Sequence, residues 1–430
     1  MRGFNIIWAR PGGKVKRLLI GFFILFAGAN VFAQSDADKE AKWILERITG
    51  VRWPSDAAIL QQMSTLISSK NSAGAVQLAM MQPQFYNITV KQLALQMSTR
   101  EETIRTPFND FAAAVIGITR DDLDGRELLT GNYYYAAADA RIPAGTTIPV
   151  AIGADIIASN RHFAALESNN LNLGDVLEKR DGQLLVINNA NTTIPNPDPA
   201  GVLTSRAYIE AHATAGTNRR LVEFAFREFM CATIDQVADT SASDIRIGRD
   251  IDRFPGGDHT KFQTTCKGCH TIMDGFRGAF AKWDFNNGAA LHSAVNGIEG
   301  RDADNDASGV MNKLNKNGNM YAGGYVTRDD SWVNHANRGA NALSIGWRSP
   351  ASMSGNGVAG FGAAIASTQR FSQCMAKRVF NTICRRDLAE ENQKLLFTQL
   401  GIQWESQNYR FKKLFELVAT HPQCRYKEAL

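Results

Sequence analysis

The sequence predicts a mainly α-helical protein. Three observations carry that expectation. Ile59, Met63, Leu66 and Ile67 recur at helical spacing early in the chain. The run NRRLVEFAFREFMC over 218–231 carries one strongly apolar face. Near the end, Phe411, Leu414, Phe415 and Val418 stand at i, i+3, i+4 and i+7. Of the 430 residues, 44% are hydrophobic and 21% charged, which excludes a disordered or fibrous chain.

The first 33 residues have the anatomy of a secretory leader. Lys14, Lys16 and Arg17 close a basic stretch, Leu18 to Ala27 is apolar, and Val31-Phe32-Ala33 is a small-x-small cleavage site. The apolar run is about half of the roughly 20 residues needed to span a bilayer. Cleavage after Ala33 and export to the periplasm are expected. No integral membrane segment is expected in the mature chain, because no later stretch is apolar enough. The five basic residues of the leader, Arg2, Arg10, Lys14, Lys16 and Arg17, make up the whole excess of 47 basic over 42 acidic residues. The mature chain is therefore formally neutral, and its charge gives no reason to expect a nucleic-acid partner.

Four further segments follow. Residues 34–124 read as a helical N-terminal domain. A helix start follows Pro54 at Ser55-Asp56, with further helices over 71–81, 90–98 and 107–117. Residues 125–200 are rich in Gly, Pro, Asn and Thr and read as irregular, with short strands such as Leu184-Leu185-Val186-Ile187. Residues 201–360 hold the helix over 218–231 and then a segment rich in Gly and Asn. Residues 361–430 read as three closing helices, over 368–386, 391–400 and 409–420. There are no internal repeats.

The chemistry is concentrated at Cys266-Lys267-Gly268-Cys269-His270. C-x-x-C-H is the attachment pattern of a c-type haem. Two thiols one helical turn apart can each form a thioether to one vinyl group, and the adjacent imidazole becomes the proximal iron ligand. A dithiol redox pair is the competing reading, but it would want a thioredoxin-like βαβ context that this stretch lacks. One motif implies one covalent haem c, held by Cys266, Cys269 and His270. Met273, Phe276, Phe280, Trp283 and Phe285 follow, in a run dense enough to wall a haem or to fill an ordinary core. The segment 201–360 is accordingly expected to be a cytochrome-c-like haem domain with long loops. Met273 falls on the proximal side. Met353, after Pro350 in a Gly-rich loop, is the favoured distal iron ligand; Met320, Met311, His335 and an open site remain alternatives.

Other signals are weaker. Asp302-Ala303-Asp304-Asn305-Asp306 opens like a calcium loop, but Ala307 and Lys313 stand where an EF-hand needs Gly and Glu. The histidines other than His270 are scattered, and no nucleophile elbow, P-loop or dinucleotide fingerprint occurs in a strand–turn–helix context.

These residues resemble the planctomycete-type cytochrome c proteins, built from three successive domains of unknown function. The similar phrases are Gly201-Val202-Leu203-Thr204, Arg219-Arg220 and Met230-Cys231 before the motif. Met273-Asp274, Ala279-Phe280 and Asp284-Phe285 follow it, and Phe371-x-x-Cys374 and Tyr409-x-Phe411 lie near the end. Two departures stand out: Gly275 replaces the family's Pro after Met-Asp, and the closing Phe-Asp is inverted. The resemblance covers 200–430 well and 40–135 loosely. It implies a haem and this domain order, and no substrate.

One-electron transfer with an unidentified redox partner protein is the leading expectation for function. A haem enzyme with an open distal site, peroxidase-like or oxidising a small molecule, is the alternative, and a binding protein with a structural haem is the third. Cys231, Cys374, Cys384 and Cys424 remain outside the motif, and an oxidising compartment suggests two disulfides. Cys374 and Cys384 share one helix and stand roughly 15 Å apart at 1.5 Å per residue, too far to bond. An up-down-up arrangement of the closing helices then favours Cys384–Cys424 and Cys231–Cys374.

Overall fold

A computed structural model describes residues 35–52, 57–149, 154–186, 193–213, 217–293, 320–386 and 388–425. The leader, Ser55-Asp56, Met311 and the 302–306 acidic run lie outside these residues. The protein is mainly helical, and among the described residues no helix is long and apolar enough to cross a membrane. The described residues from Asp36 onward form one compact unit.

The N-terminal helices α1 (Asp36–Thr49), α2 (Ala57–Ser68) and α3 (Ser72–Met80) form because each has a core-facing stripe. In α1 that stripe is Ala41, Ile44, Leu45 and Ile48. Asn71 caps α3, its side chain accepting from the Gly74 amide at 2.9 Å. A π-helical turn over Phe85–Val90 runs into α4 (Lys91–Ser98). Helix α5 (Asp110–Arg120) starts three residues later than its periodicity predicts, because Asn109 caps it by accepting from the Ala112 amide. Almost all of α5 is buried.

The middle region is short-pieced, as its composition suggests, yet it holds more strand than expected. After α6 (Glu127–Thr130), β1 (Tyr133–Ala137) pairs antiparallel with β2 (Leu177–Asp181), and between them lie α7 (Ala154–Ile157), α8 (Arg161–Ser168) and α9 (Leu173–Val176). The expected strand at 184–187 is β3 (Leu184–Val186), paired with β4 (Thr193–Pro195). Helices α10 (Arg206–Ala213) and α11 (Arg219–Met230) follow, then the short α12 (His259–Lys261) and α13 (Lys267–Phe276). Two more antiparallel ribbons come next, β5 (Trp283–Asn286) with β6 (Ala289–His292) and β7 (Ser331–Val333) with β8 (Ser354–Asn356). Helix α14 (Gly339–Ile345) sits in the last of these loops. Helix α15 (Gly357–Ala366) begins just before the expected boundary at 360.

The closing helices are α16 (Gln369–Cys384), α17 (Glu390–Ser406) and α18 (Phe411–Thr420). They fold back onto the start of the chain. The Phe415 ring meets Phe85 edge-on at 4.9 Å, and Arg425 pairs with Glu40 at 2.6 Å. One hydrophobic core therefore runs from Ala41 to Cys424 across all four expected segments. Both favoured disulfides are present, Cys231–Cys374 with Cα atoms 5.2 Å apart and Cys384–Cys424 with 5.1 Å. Chain-entropy reasoning puts the second, across a 40-residue separation, at about 4 kcal/mol.

Among the costly polar groups of the core is a histidine. His212 is fully buried, stacks on Phe224 at 4.2 Å, and neither ring nitrogen has a hydrogen-bond partner. Burial first, then the charges of Arg220 and Arg100, push its pKa down to about 3 from 6.5. The unfolded chain therefore binds a proton that the folded chain refuses. The stability due to a neutral His212 is complete above pH 6.5 and is lost as pH falls toward 3, by about 5 kcal/mol at most. His212→Leu should leave stability at pH 7 unchanged or higher, since no hydrogen bond is lost. It should also flatten the acid limb of a denaturation series between pH 6.5 and 3; an unchanged limb would contradict this account.

Candidate functional site

The motif lies on one rigid helix. Its first cysteine ends a π-helical turn, Phe262–Cys266, which continues directly into α13. Such turns recur at functional sites. Asp258 starts the segment by accepting from the Thr260 amide at 2.8 Å, and Arg253 lies over the Phe262 ring, 4.6 Å from its centroid.

Burial divides α13 sharply. Gly268, Thr271, Ile272, Asp274, Gly275 and Phe276 are buried, whereas Cys266, Cys269, His270 and Met273 are only partly so. At about 100° per residue these four positions fall on one face. The structure thus brings the three predicted attachment residues together, with Met273 one turn further along the same stripe. Cys266 and Cys269 are both free thiols, unlike the other four cysteines. Burial pushes the Cys269 thiol up, and Asp235 adds to this. Reactive dithiols need the opposite, an electropositive setting that lowers the thiol pKa.

The back of the helix is packed from three sides. Gly268 fits against the 238–240 loop, where an added Cβ would lie 3.2 Å from the Ala238 methyl. Gly275 and Gly278 accept the β7 backbone: a Cβ at Gly275 would lie 2.6 Å from the Val333 carbonyl oxygen, and one at Gly278 2.1 Å from that of Ser331. Glycine at 275 is therefore required by the close approach of the β7 backbone. Asn218 ties the start of α11 to the chain beyond the motif, donating to the Phe280 carbonyl at 2.6 Å and that of Trp283 at 3.2 Å.

Beneath the motif lies a buried charge cluster. Asp274 is paired with Arg219 through a short Nε–Oδ1 contact and an Nη2–Oδ2 bond of 2.8 Å, and accepts from the Gly248 amide at 2.8 Å. Arg219 and Arg277 also reach Asp250, at 2.9 and 3.4 Å. Burial alone would push the Asp274 carboxyl up; the charge of Arg277, the neighbouring His270 ring and Arg219 outweigh it. They hold the group well below the usual carboxylate range. Asp274 Oδ1 lies 4.0 Å from His270 Nδ1. That nitrogen is buried and makes no hydrogen bond, while the side chain as a whole is 23% exposed. The exposed part of the ring therefore lies away from Nδ1. Two thiols one turn apart with an imidazole on the same half-buried face are a residue set that fits covalent haem attachment.

The remaining expectations fare differently. Phe276, Phe280 and Trp283 do not wall the motif face. They are buried among the protein's own aromatics, Phe276 packing against Phe226, Trp332, Trp347 and Phe361. Phe285 lies under Arg206. Exposed apolar groups occur instead in the chain around the motif: Ile245, Phe254, Met320 and Leu343 are 71, 51, 56 and 86% exposed. His335 packs on Gly275, roughly 140° round the helix from His270 and away from the thiols. Met353 belongs to the turn leading into β8; its carbonyl accepts from the Asn334 amide at 2.9 Å, and Asn337 Nδ2 lies 2.6 Å from its sulfur. Among the described residues no group of three or more His, Cys, Asp or Glu is arranged around a bare metal ion. The charge cluster was not anticipated beyond Asp274 and Arg219 as letters of a family phrase. Its partners come from 219, 250, 274 and 277, and no local spacing joins them.

Gly275→Ala should lift β7 from α13 and destabilise the protein by about 1–3 kcal/mol, the scale of overpacking. Denaturant melts would measure this, and an unchanged midpoint would show that the strand yields freely. Comparison of the chain with known protein families, curated proteins and solved structures finds no match in any of them.

Proposed function

We propose that this chain is an exported mono-haem c-type cytochrome whose main activity is one-electron transfer. The observation that carries this is the half-buried stripe of Cys266, Cys269, His270 and Met273 on a helix whose opposite side is buried. Cys266 and Cys269 would hold the porphyrin by thioethers, and His270 Nε2 would ligate the iron. The leader supports this reading independently, since haem c is attached outside the cytoplasm. A bound haem supplies reversible one-electron chemistry. The chain's own part is to fix the imidazole, cover one haem face and set the local polarity.

The distal ligand in this reading is Met353. A thioether there would raise the potential, and its sulfur would have to leave Asn337. That existing contact favours a second reading, in which the sixth position stays open and the protein is a haem enzyme. Cyanide and carbon monoxide separate the two: an inert, six-coordinate spectrum supports transfer, and rapid ligand binding supports the enzyme.

Protein expressed with c-type maturation should give about one haem per chain in a pyridine haemochrome assay. The double variant Cys266→Ala, Cys269→Ala should give none. Wild-type protein without covalent haem would refute the proposal. Met353→Ala should abolish the methionine–iron charge-transfer band; if a band is present in the wild type and survives the substitution, another residue is the ligand.

A further inference from the structure

We propose that Asp274 is the positioning residue for His270, accepting a hydrogen bond from its Nδ1–H and thereby fixing Nε2 on the haem side. The inference rests on the haem reading above and names what holds the ligand. His270 and Asp274 are one turn apart on α13, so their side chains share a face. Nδ1 is buried without a hydrogen bond, and Asp274 Oδ1 stands 4.0 Å away. Turning the ring toward Asp274 would shorten that gap. The carboxylate itself cannot turn aside, because Arg219 grips both oxygens and the Gly248 amide holds Oδ2.

Metal-bound histidines generally donate their second nitrogen to a carboxylate or carbonyl, which fixes the tautomer and raises ligand basicity. A carboxylate so firmly oriented makes a stronger acceptor than a backbone carbonyl. Gly248 belongs to the same device. A Cβ there would lie 2.0 Å from Arg277 Nη2 and 2.4 Å from Asp250 Oδ1, so only glycine lets its amide approach the cluster. Asp250 pairs with both arginines and serves as an internal control.

The test uses full-length, haem-loaded protein labelled with 15N-histidine and reduced; a six-coordinate ferrous iron is then diamagnetic, and carbon monoxide is added only where the sixth position is open. Haem content is measured first by pyridine haemochrome. In the wild type the His270 Nδ1–H resonance should lie far downfield and exchange slowly with solvent. Asp274→Asn should move it upfield, speed its exchange and raise the midpoint potential, with haem content unchanged. Asp274→Glu should restore part of the downfield shift. Asp250→Asn also removes a buried negative charge, so potential alone cannot separate the two sites; its Nδ1–H resonance should stay at the wild-type position. If Asp274→Asn fails to fold, the wild-type resonance still decides: a rapidly exchanging Nδ1–H near the position of a free imidazole overturns the proposal. A shift of equal size in Asp250→Asn overturns it as well, since the cluster would then act only structurally. Absence of haem overturns both this inference and the haem reading, whereas haem with an unshifted resonance overturns this one alone.

Discussion

Four charged side chains with almost no access to water, Arg219, Asp250, Asp274 and Arg277, hold the motif helix in place. Asp274 and Arg277 come from the end of α13 and the turn after it, Arg219 opens α11, and Asp250 lies on the loop between them. Any one of these charges left alone in the interior would cost several kcal/mol. Together they are satisfied only when three separate stretches of chain meet in one arrangement. The position of the helix, and so the direction its thiols face, follows from that requirement. Replacing such clusters by apolar groups is often neutral for stability, so their value lies in the arrangement they enforce.

The rest of the site is built by close approach. Small residues on the back of α13 let β7 and the 238–240 loop lie against it, and the aromatic residues after the motif fill the space behind. The helix is thus most deeply covered on the side away from its thiols and imidazole, which are themselves half-buried. On a helix packed from behind, the two thiols and the imidazole are held in a fixed relation to one another.

Much of this was legible in the sequence. The amphipathic periods of α2, α11 and α18 report local burial, and local burial is what a single stretch of chain records. The disulfide pairing followed from two things: Cys374 and Cys384 could not reach each other along one helix, and an up-down-up order of the closing helices brings Cys384 near Cys424. Strands β1 and β2 were hidden for the opposite reason: Tyr133 and Asp181, their paired ends, are 48 residues apart, and such pairing leaves little local trace. The aromatic run after the motif has the composition of either a haem wall or a core, and only the direction of each ring decides between them. The charge cluster was illegible because its four members become neighbours only through the fold.

The contact between the two ends of the described chain also governs how the protein comes into being. Phe415 packs on Phe85 and Arg425 pairs with Glu40, while Cys424 is bonded to Cys384. The N-terminal helices therefore lack part of their own core until residues 415–425 have joined them. Contacts of such long sequence separation are slow to form. The two ends of the described chain thus complete one another late in folding, and the Cys384–Cys424 bond holds together the closing helices through which they meet.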